Sequence, residues 1–119
     1  MTADPAGRAT IYHNPRCSKS RQALELLRER GVEPTVIKYL DTPPDVEQLR
    51  TLISDAGLTV REAVRVKEAE FTELGLIDAS DDDLLAAMVA HPRLIERPFV
   101  VTDKGTRLGR PTAAVEEIL

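Results

Sequence analysis

The fold is decided between Ala9 and Tyr39. Ala9-Thr10-Ile11-Tyr12-His13 is a short run of strand-forming residues, ended by the turn signal Asn14-Pro15. A helix is expected from about Ser18, with Leu24, Leu27 and neighbouring Leu26 as its apolar stripe and Gly31 where a glycine closes a helix. Thr35-Val36-Ile37-Lys38-Tyr39 reads as a second strand. Strand, helix and strand within about thirty residues form a βαβ unit, which predicts parallel strands joined by a right-handed crossover.

Outward from this unit the middle of the chain reads as helical. Thr42-Pro43-Pro44-Asp45 matches a capping signature with proline at the first helical position, and Val46, Leu49, Leu52, Ile53 and Ala56 fall on one face before Gly57. Thr59-Val60-Arg61-Glu62 is a second capping box, opening a short helix through Arg65. A third helix is expected over about Glu68 to Leu74. Ser80 and the run Asp81-Asp82-Asp83 start a fourth, which His91-Pro92 stops. Phe99 to Thr102, a turn at Asp103-Lys104-Gly105 and Thr106 to Gly109 read as a β-hairpin, followed by a helix from Thr112 to Leu119. Strands and helices in this order predict an α/β fold: a mixed four-stranded sheet flanked by helices, with a helical insert at about 45–95 between strands 2 and 3. One domain spanning 1–119 is expected at this length, with Met1 to Arg8 as a loose arm.

Composition narrows the function. Sixteen basic against twenty acidic residues give a net charge of −4, which argues against a general nucleic-acid binder. Two tyrosines and two phenylalanines are too few for a base-stacking platform. The longest apolar run, Leu84 to Ala90, falls far short of the roughly 20 residues a membrane span needs. The first eight residues hold no signal-peptide stretch, so a cytoplasmic protein is expected. A single cysteine, Cys17, excludes an internal disulfide, and with two histidines no metal site is expected.

Cys17 is the centre of the chemistry. It follows a strand and opens a helix, where unpaired N–H groups and the helix dipole favour negative charge, and Arg16, Lys19 and Arg21 lie within four residues. Such cysteines are thiolates at neutral pH far more often than ordinary thiols, whereas a lone cysteine elsewhere is commonly a small buried hydrophobe. His13 is a candidate donor or second positive charge across the loop. The amides from Cys17 to about Arg21, with the Ser18 and Ser20 hydroxyls, form a candidate cradle for a tetrahedral oxyanion. Cys17-Ser18-Lys19-Ser20 puts a hydroxyl where a resolving thiol would stand, so a dithiol mechanism is excluded. Arg97 before Pro98, and Arg110 before Pro111, bracket the hairpin, and Arg65 ends the short helix of the insert. Because the first hairpin strand runs antiparallel to strand 1, Arg97 is expected to aim at the Cys17 loop, the more so with a cis peptide at Pro98. Arg61, Arg93 and Arg107 read as surface charges or carboxylate partners, His91 as a helix end, the Asp81–Asp83 run as a dipole partner, and Gly105 and Gly109 as turn glycines.

The segment Ile11-Tyr12-His13-Asn14-Pro15-Arg16-Cys17-Ser18-Lys19-Ser20-Arg21 resembles the active-site segment of the glutaredoxin-dependent arsenate reductase family. The resemblance runs on through Tyr39 to Pro44, Val60-Arg61 to Arg65, Glu73 to Leu76, Arg97 to Thr102 and Arg107 to Pro111. It implies a thioredoxin-like fold with a helical insert. It also implies that Cys17 attacks arsenate, that Arg65, Arg97 and Arg110 hold the oxyanion, and that His13, Ser20, Arg21 and a cis Pro98 support them. In the implied cycle glutathione, a co-substrate rather than a bound cofactor, adds to the arsenic, glutaredoxin supplies a second thiol, and arsenite leaves. The best-known members carry Cys-Gly-Thr-Ser-Arg where this chain has Cys17-Ser18-Lys19-Ser20-Arg21, and they extend past the last helix; both differences resemble a short, arsenate-reductase-like branch. Two other readings stay open on the sequence: a glutathione-linked thiol oxidoreductase, and a transcription regulator of the same fold that binds RNA polymerase.

Overall fold

A computed structural model describes residues 9–119; the expected N-terminal arm lies outside the described residues. Four strands are present: β1 (Ala9–Tyr12), β2 (Thr35–Ile37), β3 (Phe99–Thr102) and β4 (Gly105–Leu108). They form one mixed sheet in the order β2-β1-β3-β4, with β1 parallel to β2 and antiparallel to β3. The register sets Ile11 against Val36 and Val100, and Tyr12 against Ile37 and Phe99. The helix α1 (Ser18–Glu29) makes the crossover between the parallel strands. This is the expected α/β, thioredoxin-like arrangement.

The described residues pack as two compact units, one formed by residues 9–42 with Arg97–Leu119, the other by Pro43–Glu96. The first unit holds the sheet. Ile11 and Val100 are fully buried with Ala23 and Leu27 of α1 and with Val115 and Ile118. Gly31 closes α1: its amide donates to the Arg28 carbonyl and that of Val32 to the Leu27 carbonyl, a pairing that a left-handed residue permits and glycine adopts without strain. β2 stops at Ile37, two residues early, because the amides of Asp41 and Thr42 both turn back to the Lys38 carbonyl. The C-terminal segment Thr112–Ile118 is a 3₁₀ helix, not an α-helix. Its two buried residues, Val115 and Ile118, are three apart and so share one face at three residues per turn.

The second unit is helical: α2 (Val46–Asp55), α3 (Ala69–Glu73) and α4 (Asp81–Ala90) with short 3₁₀ turns between. The cap of α2 is Asp45 rather than Thr42. Asp45 accepts from the Gln48 amide at 2.8 Å while the Gln48 side chain accepts from the Asp45 amide at 2.9 Å, a reciprocal box that Thr42 lacks the partner to make. The Thr59–Glu62 box forms as expected, but its 3₁₀ helix ends at Ala63. Val64 turns extended there and pairs with Ile95, which pins Arg65 through its amide to the Leu94 carbonyl at 2.7 Å. Ser80 caps α4, and Leu49, Ile53, Leu84, Leu85, Met88 and Leu94 fill the interior of the unit.

Candidate active site

Asn14 shapes the loop between β1 and α1. Its carbonyl accepts from the Cys17 amide and its side-chain oxygen from the Arg16 amide, both at 3.0 Å, while its own amide donates to Ser20 Oγ at 3.0 Å. Arg21 adds a clamp across the loop, Nη1 donating to the Pro15 carbonyl at 2.9 Å. The Asn14-Pro15 pair signals the turn in the sequence, whereas the three ties that Asn14 makes across it are a feature of the folded loop.

Held this way, Cys17 is the N-cap residue of α1, with extended backbone and no side-chain cap hydrogen bond. Cys17 is buried, with 8% of the residue exposed, yet it is no inert hydrophobe. Burial by itself would push the thiol pKa up. The Ser20 amide, the charge of Arg97, the Lys19 amide and a hydrogen bond from the Arg97 side chain together outweigh it and hold the pKa below the ordinary cysteine value. Two of the amides expected to cradle an oxyanion thus also favour the negative sulfur.

His13 and Ser20 also differ from expectation. His13 is 6% exposed; burial, followed by Lys38, Arg28 and Arg21, lowers its pKa, so it is a neutral imidazole and not a second positive charge. Its Nδ1 lies 2.6 Å from Ser20 Oγ. Ser20 is fully buried and shared between His13 and Asn14, so its hydroxyl does not open into the loop as an oxyanion ligand. A groove of about 560 Å³ runs beside the loop, walled by His13, Pro15, Arg21, Leu24, Arg28 and neighbouring glutamates, with Cys17 outside its lining.

The arginines divide. Arg97 reaches Cys17 as antiparallel pairing anticipated: Phe99 sits opposite Tyr12, so Arg97, two residues earlier, stands past the strand end that feeds the loop. Its Nε and Nη1 are buried and make no hydrogen bond. Buried donors without acceptors are costly, and an oxyanion is the acceptor that would satisfy them. Arg110 is exposed, with Nη1 3.5 Å from the Arg97 carbonyl. The peptides before Pro98 and Pro111 are both cis, the second unforeseen. Gly109 is no turn glycine: its amide donates to the Pro98 carbonyl at 2.7 Å, and a Cβ there would stand 3.0 Å from Pro98 Cγ.

Arg65 belongs to the second unit, where Glu68 and Glu96 flank its guanidinium at 3.4 and 3.6 Å. The two glutamates were not singled out in the sequence, although Glu68 stands three residues after Arg65. Arg93 and Arg107 are carboxylate partners, of Glu68 and Glu117 at 2.9 and 2.8 Å, whereas Arg61 donates to the Ile77 and Ala79 carbonyls.

The chain is similar to known proteins over most of its length. Residues 12–118 match the ArsC family. An arsenate reductase of Rhizobium meliloti is 54% identical over 112 residues, covering 92% of this chain and 80% of that protein. The Escherichia coli protein YfgD is 51% identical over the same share of this chain, which is 94% of its own length. Among solved structures, an arsenate reductase from Vibrio cholerae superposes with a TM-score of 0.90 at 53% identity, covering 94% of this chain and 98% of that one.

Proposed function

The chain belongs to the ArsC family, and from that premise we propose the cycle by which it reduces arsenate to arsenite. The observation that carries the reading is one pair of groups: a cysteine sulfur at a helix N-terminus with depressed pKa, and the Arg97 guanidinium beside it with two buried, unpartnered donors.

A thiolate and an arsenate dianion repel, so productive approach requires cations that serve both. Arg97 fits this, because it favours the sulfur anion and still has donors free for oxygen. Arg65 and Arg110 are the further oxyanion ligands in this reading, planar forks suited to two oxygens at once. The Cys17 sulfur attacks As(V), and an arsenic oxygen leaves as water. Glutathione then adds to arsenic through its thiol, releasing a second water. A glutaredoxin thiol attacks the sulfur of that bound glutathione; the mixed disulfide forms, and the As–S electron pair remains on arsenic, which becomes As(III). Water finally releases arsenite and restores Cys17. The external thiols supply both electrons, as a chain with one cysteine requires.

Glutathione is the abundant thiol of reducing compartments, so this reading carries with it a cytoplasmic location. Among the described residues no helix is long and apolar enough to cross a membrane.

The test is arsenite release from arsenate with both thiol donors present. Wild type should turn over and Cys17→Ser should not; equal rates would sink the reading. Omitting glutathione or glutaredoxin singly should each stop turnover, and a rate that survives either omission overturns that part of the cycle.

A further inference from the structure

We propose that Glu68 is the resident counter-ion of Arg65, that Arg93 limits its hold, and that this shared carboxylate sets how strongly Arg65 takes a tetrahedral oxyanion. The inference rests on the reading of Arg65 as an oxyanion ligand.

Backbone geometry fixes the participants. The Arg65 amide donates to the Leu94 carbonyl and the Glu96 amide to the Ala63 carbonyl, so Arg65 and Glu96 sit in one short antiparallel pairing. The Glu68 amide donates to the Arg65 carbonyl at 3.2 Å, which brings that carboxylate back over the arginine. Both contacts of the Arg65 guanidinium are loose: Nη2 to Glu68 Oε2 at 3.4 Å and Nε to Glu96 Oε1 at 3.6 Å. Charge-assisted N–H···O bonds run at about 2.7–2.9 Å, so Glu68 does not grip Arg65 fully.

The tight bond goes elsewhere. Glu68 Oε1 accepts from Arg93 Nη2 at 2.9 Å. Arg93 also pairs with Glu70 at 3.7 Å. Glu68 is 18% exposed, so it sits where screening by water is reduced, while Arg93 is 66% exposed. One carboxylate is therefore divided between a surface arginine that holds it well and a half-buried arginine that it holds weakly. An incoming oxyanion must displace Glu68 from Arg65, and the less Glu68 charge Arg65 feels, the tighter the anion binds. When As(V) dianion becomes uncharged arsenite, Arg65 returns to its resident partner.

Two substitutions should then act in opposite directions on arsenate affinity, measured by calorimetric titration of the full chain without thiols. Glu68→Gln keeps shape and removes charge, and should tighten arsenate binding by about three-fold, the scale of a partly exposed ion pair. Arg93→Gln leaves the negative charge of Glu68 and Glu70 uncompensated by Arg93 and should weaken it by a similar factor. A position that mattered only for packing would weaken binding in both variants. An unchanged or weaker Glu68→Gln overturns the proposal, as does an unchanged or tighter Arg93→Gln. Arg65→Gln separates the two readings: if wild type binds arsenate and Arg65→Gln binds it equally well, Arg65 is no oxyanion ligand and the premise fails; if Arg65→Gln is weaker while the Glu68 and Arg93 variants match wild type, only this inference fails.

Discussion

His13 and Ser20 close the cysteine loop from its two ends: one follows β1, the other lies in the first turn of α1, and Nδ1 and Oγ stand 2.6 Å apart. The Asn14 amide donates to the same hydroxyl at 3.0 Å, so Ser20 Oγ ties together the two residues that follow β1. Ser20 is a staple, and through its amide it also acts on the Cys17 sulfur.

Ser20→Ala should therefore damage both stability and chemistry. It strips partners from two polar groups in a buried place, at a cost of about 1–3 kcal/mol for a buried group left unsatisfied. Urea unfolding should show a lower midpoint. Iodoacetamide trapping of Cys17 should require higher pH than in wild type; an unaltered profile would mean that the loop holds its shape without the staple.

Arg97→Gln removes a charge that lowers the Cys17 pKa. The alkylation profile should shift to higher pH, because the neutral thiol is then favoured. Loss of a charged hydrogen bond is worth about 1.5–3 kcal/mol, so kcat/KM for arsenate should fall roughly 10- to 100-fold. Arg97→Lys should restore the pH profile better than the turnover, since an ammonium keeps charge but lacks the fork.

His13 has a folded-state pKa below its unfolded value. Between the two the unfolded chain binds more protons, so this residue's contribution to stability is present at neutral pH and is lost as the medium acidifies through the ordinary imidazole range, near 6.5. His13→Gln cannot titrate. The loss of stability from about pH 7.5 to about pH 5.5 should be greater in wild type than in this variant, with urea midpoints as the measure. Equal losses would mean that His13 titrates alike folded and unfolded.

Gly109→Ala tests the close approach to Pro98. The new methyl would stand 3.0 Å from Pro98 Cγ and 3.3 Å from Val115 Cγ2, and Gly109 has no positive φ to complicate the comparison. Overpacking of this kind costs about 1–3 kcal/mol. Chemical denaturation should record that loss, while an Ala variant as stable as wild type would show that Pro98 yields freely.

Local chemistry made much of this legible beforehand. The β3 run, the glycine that ends α1, the Ser80 cap and the Thr59–Glu62 box depend on neighbours within a few residues, and these appeared where the sequence put them. Misplacements arose where two local signals competed. Asp45 displaced Thr42 as cap because only Asp45 has Gln48 three residues on, whereas the last segment is helical as expected, in 3₁₀ form.

By itself the sequence determined a βαβ unit with a lone cysteine opening its helix, since strand propensity, helix capping and chain reach all act over short separations. Only the tertiary structure decided that Arg97 keeps two buried donors unpartnered beside the sulfur, that His13 is neutral, that Ser20 faces inward and that Glu68 attends Arg65. Charge state follows from every group within several ångströms. For Cys17 and His13 those groups lie on α1, at Lys38 after β2 and at Arg97 before β3, and how closely each approaches is a matter of the folded backbone.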